Sequence, residues 1–214
     1  MQESLPVTLA EEIYSNEVLE IYHLLFADNL NAFKEMEKAY PCLFAKTPDT
    51  KELIALAQDK STEARTRVLA YRKLEELNIL PEPKEVLGVI AENHFEDGGM
   101  DTVALYADGA LRYINQSGAM IFSEVFIDEE MQNRVFDLAR KIVPCIGPLD
   151  GERLPPPAPG MFRVTFLVNG SIYFGQAPVD MAFEDEIMGP LAMGILNVLK
   201  VAMDRCEDTP DKEK

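Results

Sequence analysis

Glu92, His94 and Glu96 stand at alternate positions, and Asp97 and Asp101 follow at once. In an extended strand alternate side chains share a face, so these three would point the same way. Carboxylates around one imidazole can bind a divalent cation or hold a histidine for proton transfer. The spacing is not that of an EF-hand loop, which needs acids at alternating positions before a glycine and a glutamate at its end. The simpler expectation is a solvated hairpin end kept soluble by its charges. A second group gathers Tyr106, Asp108, Arg112, Tyr113 and Asn115 within ten positions. Residues 81 to 150 carry 13 acids against 5 bases, so Arg112 is one of few cations there. An arginine beside aromatics can grip a carboxylate in a fork or stack on a ring. A cross-strand ion pair, worth about 0.2–1 kcal/mol, is the favoured reading. Arg163 offers the same two possibilities. Glu92, His94, Asp101, Tyr106, Asp108, Arg112, Tyr113, Asn115 and Arg163 are thus the candidate binding residues.

Other chemistry finds little support. GxxxxGK[ST], a strand-to-helix GxGxxG, GxSxG and HExxH are all missing from the sequence, so neither phosphate cradles nor those hydrolase sites are expected. Cys42, Cys145 and Cys206 form no CxxC, and only His23 and His94 could serve a thiol as base. No cofactor, metal or catalytic residue is assigned on this basis.

The elements that must position these residues fall into two regions. Residues 1–80 read as short helices. Thr8 with Glu11 makes a capping box, and Val18, Ile21, Tyr22 and Leu25 form one apolar face. Phe33, Met36 and Tyr40 mark a second helix ended by Pro41. Thr47-Pro48-Asp49 starts a third, and Ser61 opens a fourth that runs to the Pro81-Glu82-Pro83 break. Residues 81–206 read as antiparallel α+β. Val86 to Ala91 is a near-continuous apolar run that suits a buried central strand. Asp97-Gly98-Gly99, Asp108-Gly109 and Ser117-Gly118 separate three or four meandering strands. Asp128 caps a helix bearing Met131, Val135, Leu138, Ala139 and Ile142 on one stripe. Residues 144–160 hold six prolines and three glycines, an extended connection that serves as a spacer or a binding flap. A hairpin turning at Asn169-Gly170 follows, and Glu184-Asp185-Glu186 reads as the acidic first turn of a helix.

The last helix carries Leu191, Ile195, Val198, Leu199 and Ala202 on one side, with Met193, Leu196 and Met203 on the other. Such a helix is buried on two sides, covered either by the N-terminal bundle or by another copy. Apolar residues on both sides predict the second option, a homodimer through this helix. Met181, Met188, Met193 and Met203 lie in this last segment, where core packing is the expected role and adaptable contact with apolar partners the alternative. Residues 207–214 read as a disordered tail.

The expected fold is a helical N-terminal region followed by a twisted antiparallel sheet of five to six strands with helices on one face. From Ser61 onward this order of elements is similar to that of the small dimeric type III secretion chaperones, which are shorter and lack so large a helical extension. The stretch from Tyr106 to Asn115 resembles segments of bacterial proteins.

The formal net charge is −17. It repels phosphate backbones and anionic membranes, so nucleic-acid and membrane binding are not expected. It steers the chain toward a basic partner. The start of the chain lacks the basic and apolar regions of a secretory signal, and no run is long enough to span a bilayer, so a cytoplasmic protein is expected. Together these features predict a non-catalytic protein-interaction module such as an adaptor, chaperone-like or inhibitor protein. The alternative is an enzyme or sensor that takes a small ligand or metal in a pocket on the sheet.

Overall fold

The computed structural model describes residues 13–79 and 82–207. The Thr8–Glu11 capping box and the tail beyond Glu207 lie outside them. Helix α1 (Asn16–Leu24) leads through a 3₁₀ segment (Leu30–Met36) into α2 (Pro41–Phe44), α3 (Thr50–Gln58) and α4 (Ala64–Glu76). Strands β1 (Val86–His94), β2 (Met100–Tyr106), β3 (Leu111–Ile114) and β4 (Met120–Ser123) form the meander. Helix α5 (Glu129–Ile142) and the proline-rich connection precede β5 (Met161–Val168) and β6 (Ser171–Pro178). Helices α6 (Val179–Glu184) and α7 (Met188–Glu207) follow. The six strands form one antiparallel sheet in the order β4-β3-β2-β1-β5-β6.

The fold is therefore α+β, a helical region followed by a six-stranded antiparallel sheet with helices packed on it. Helices α5 to α7 cover one face through Val135, Phe136, Ala139, Leu191, Ile195 and Val198, packed on Val89, Val103, Leu105, Val164 and Phe166. The N-terminal helices cover the other face, where Tyr22, Leu25, Phe26, Val68 and Leu74 meet Leu87, Ile90, Met100, Ala104 and Leu167. With both faces dry, β1 is apolar from Val86 to Ala91 instead of alternating, and turns polar only at Glu92, Asn93 and His94. Each of its fully buried aliphatic side chains contributes about 1.5–3 kcal/mol.

Helix starts differ in detail from the sequence expectations. Pro41 opens α2 instead of merely closing a helix, because a first-turn position needs no backbone N–H. The segment before it is a 3₁₀ helix kinked at Phe33. The third start is capped by Asp49, whose carboxylate accepts from Lys51 N at 2.8 Å. Helix α4 begins at Ala64, not at Ser61, and its cap comes from afar. Asp108 Oδ2 accepts from Ala64 N at 2.7 Å while its Oδ1 accepts from Ala110 N at 3.1 Å. Asp128 caps α5 as expected, accepting from Met131 N at 2.9 Å. Asp185 lies between α6 and α7, and its Oδ1 accepts from Ile187 N and Met188 N at 2.9 and 2.7 Å. These two amides hold its carboxyl below the usual range.

Two turns depend on glycine. Gly109, at φ +94°, makes the β2–β3 turn, and the Phe126 ring occupies the space a Cβ would need. Gly170, at the β5–β6 tip, lies so close to the α4 backbone that a Cβ would sit 2.6 Å from Arg72 N.

Candidate functional site

On the face under the N-terminal helices, the β1 end contributes Glu92 and His94, both 1% exposed. The solvated-hairpin expectation is thus corrected for these two residues. β1 does not end in solvent, since the proline-rich connection crosses it. Glu96 lies beyond the strand and is exposed, so the alternating trio does not converge as a ligand set. Among the described residues no group of three or more His, Cys, Asp or Glu side chains is placed to hold a metal ion.

Glu92 pairs across the sheet with Arg163, their charged atoms 3.9 Å apart. The Tyr22 hydroxyl donates to Glu92 Oε1 at 2.6 Å. Burial pushes the Glu92 carboxyl above its ordinary range, against the opposing pull of Tyr22, Arg163, Arg153 and His94. Burial also pushes the Tyr22 phenol well up, so it stays protonated and donates. Beside it, Tyr14 donates to Met100 O at 2.9 Å and lies 3.2 Å from Thr102 Oγ1.

The connection between α5 and β5 lies over this cluster as a strap. It starts on the β6 edge, where Pro148 bridges Tyr173 and Leu149 N donates to Ile172 O. Arg153 then reaches back to the first helix. Its Nε donates to Asp28 at 2.6 Å, its NH2 lies 2.9 Å from His23 Nδ1, and its guanidinium stacks 3.9 Å from the Phe26 ring centroid. Arg163 donates to Pro155 O at 2.6 Å and to Gln176 at 2.8 Å. His94 Nδ1 lies 2.7 Å from Pro157 O. A carbonyl only accepts, so this nitrogen carries the proton. Gly160 N returns a bond to His94 O. Outside the strap, Glu20, His23, Leu24, Asp28, Asn29, Ala32 and Arg153 line an open cleft of about 570 Å³.

The other candidates from the sequence lie elsewhere and serve the fold. Tyr106 is buried and donates to Leu25 O at 2.7 Å. The Tyr113 hydroxyl donates to Asp101, which also accepts from Gln116 N. Asn115 Oδ1 accepts from Ser117 and Ala119 inside the β3–β4 turn. Arg112 makes an ion pair as expected, but with a residue just past β4: both Glu124 oxygens accept at 2.7 and 2.8 Å. The structure therefore joins Glu92, His94 and Arg163, and separates them from the Arg112 group. Sequence reasoning missed Tyr14, Tyr22, Asp28 and Arg153. One signal was present for Arg153, the sole cation between Lys141 and Arg163.

A second feature lies on the opposite side of the molecule. Met181, Ile187, Met193, Leu196 and Met203 of the α6–α7 region are 41–64% exposed. The N-terminal helices sit across the sheet from them, so the bundle does not cover the second side of the last helix. Glu184, Glu186 and Asp204 are exposed along the same region. Among the described residues no helix is long and apolar enough to cross a membrane.

No protein-family model matches this chain, and no curated protein is significantly similar to it.

Proposed function

We propose that this chain is a non-catalytic, acidic protein-interaction module, an adaptor, chaperone-like or inhibitor protein, that binds a basic protein. The observation that carries this reading is the outer side of α7. Three large apolar side chains there are exposed on a helix whose inner side is fully packed. Monomeric proteins seldom leave such a row uncovered unless it meets something. The net charge of −17 supports a partner of opposite sign.

A small-ligand or sensor reading draws on the buried Glu92, Tyr22, His94 and Arg163 and the neighbouring cleft, since perturbed carboxyls gather at functional sites. Against it, Glu92, Tyr22, His94 and Arg163 bond to one another and to the strap, and none of the four lines the neighbouring cleft.

Native mass spectrometry of the protein purified gently from its own cells separates these readings. A retained basic protein at fixed stoichiometry is expected. A stoichiometric small molecule in its place would overturn the proposal, and a bare dimer would assign the outer side of α7 to a second copy.

A further inference from the structure

The interaction reading leaves open what kind of surface meets α7, and the distribution of apolar and charged groups narrows it. Met193, Leu196 and Met203 follow one another at spacings of three and seven, so they form one stripe about 15 Å long. Met181 and Ile187 are exposed in the segment that leads into the N-terminal end of the helix. At that end stand the exposed carboxylates Glu184 and Glu186, and at the other stands Asp204. Lys200 is the one cation within the stripe. Arg205 lies about 120° around the helix from Met193 and so falls off it.

This layout disfavours a second copy. A two-fold contact places the same patch on both partners. Antiparallel helices would bring the Glu184–Glu186 end against Asp204, and parallel ones would bring each acidic end against itself. Parallel helices set acid against acid, and in the antiparallel case Lys200 alone offsets the contact between bodies that each carry −17. A membrane is disfavoured by the same charge. An apolar stripe with acidic ends instead complements a helix whose apolar face is flanked by lysine or arginine. Methionine side chains, unbranched and polarizable, suit such a face.

We infer that the α6–α7 surface docks an amphipathic helix of a basic partner, with Met193, Leu196 and Met203 as the apolar contact and Glu184, Glu186 and Asp204 gripping its basic flanks. The inference rests on the interaction-module reading.

The test uses the full chain and a synthetic 18-residue helix with leucines at three- and four-residue spacing and lysine flanks, beside a control peptide with glutamate flanks. Anisotropy titration is expected to show saturable binding of the lysine peptide alone. L196E and, separately, M203E should weaken it by about tenfold or more. Both side chains are about two-fifths exposed, so the substitutions leave the core intact, which circular dichroism checks. Equal binding by L196E, M203E and the unaltered protein would overturn the inference, because it would mean diffuse charge attraction. So would a dimer of the unaltered protein that L196E converts to monomer. Photo-crosslinkers at Leu196 and at Phe122 on the β4 edge, used in the cells of origin, distinguish loss of this docking site from loss of the interaction module itself. A basic protein captured from Phe122 alone leaves the interaction module standing and removes α7 as its docking site. Capture from neither position, with a stoichiometric small molecule bound, removes both.

Discussion

A carboxylate with no solvent around it is the most demanding single residue in this molecule. Glu92 has one short hydrogen bond from Tyr22, with Arg163 at 3.9 Å, and burial still keeps its pKa above the ordinary range. A raised folded pKa means that the neutral form is the one the fold favours. Its stabilising share is present below the unfolded carboxylate range and is lost as pH rises through the raised value. Relative to E92Q, whose side chain keeps the shape and cannot ionise, the unaltered protein should therefore gain stability as pH falls from neutral into the carboxylate range. Urea melts of both proteins across that window measure it. A relative loss on acidification would mean that the two arginines hold the charged form. The Glu92–His94 alternation was legible in the sequence, and its burial was not, because covering residues such as Tyr22 and Pro157 lie some 60 to 70 positions away.

The strap illustrates at the next scale how an irregular segment is held in place. Prolines remove donors from the strap, and its free carbonyls at Pro155 and Pro157 are met by Arg163 and His94. Arg153 is the anchor to the helical region, so R153A should leave Asp28, whose side chain is 15% exposed, without its cation. A loss of about 1–3 kcal/mol is expected. Cleavage within residues 148–160 by a broad-specificity protease should accelerate as well, and an unchanged rate would show that the proline contacts suffice. The hairpins were readable from the sequence because Asp108-Gly109 and Asn169-Gly170 set their turns locally. The start of α4 was not, since its cap, Asp108, is 44 positions from the amide it satisfies. Local signals placed strands better than helix ends here, and the misplaced start at Ser61 and the helix end read at Pro41 belong to that difference.

For the whole molecule, composition foretold a folded acidic chain, the order of apolar patterns foretold an α+β one, and the apolar run of β1 foretold a buried central strand. The sequence did not disclose that the helical region would lie across the sheet from α7. Tyr22 and Leu25 look alike whichever face receives them. The charge imbalance of −17 has its own consequence, because like charges repel within the compact state. Raising salt from about 0.01 M to 0.15 M shortens the screening length from about 30 Å to 8 Å. The unfolding midpoint should rise over that range, and a fall would mean that ion pairs such as Arg67–Glu85 outweigh the general repulsion.

Placing the first helices against later strands also sets an order of events during synthesis. Leu25 accepts from Tyr106, Tyr14 binds Met100 and Thr102, and Asp28 waits for Arg153, 125 positions further on. At about 5–20 residues per second, the ribosome delivers that last partner on the order of ten seconds after the first helix has formed its peptide bonds. Until β1 and β2 follow, Tyr22, Leu25 and Phe26 lack the sheet they pack against. The nascent chain spends that interval with an apolar helix face uncovered beyond the exit tunnel, where a holding chaperone would find it.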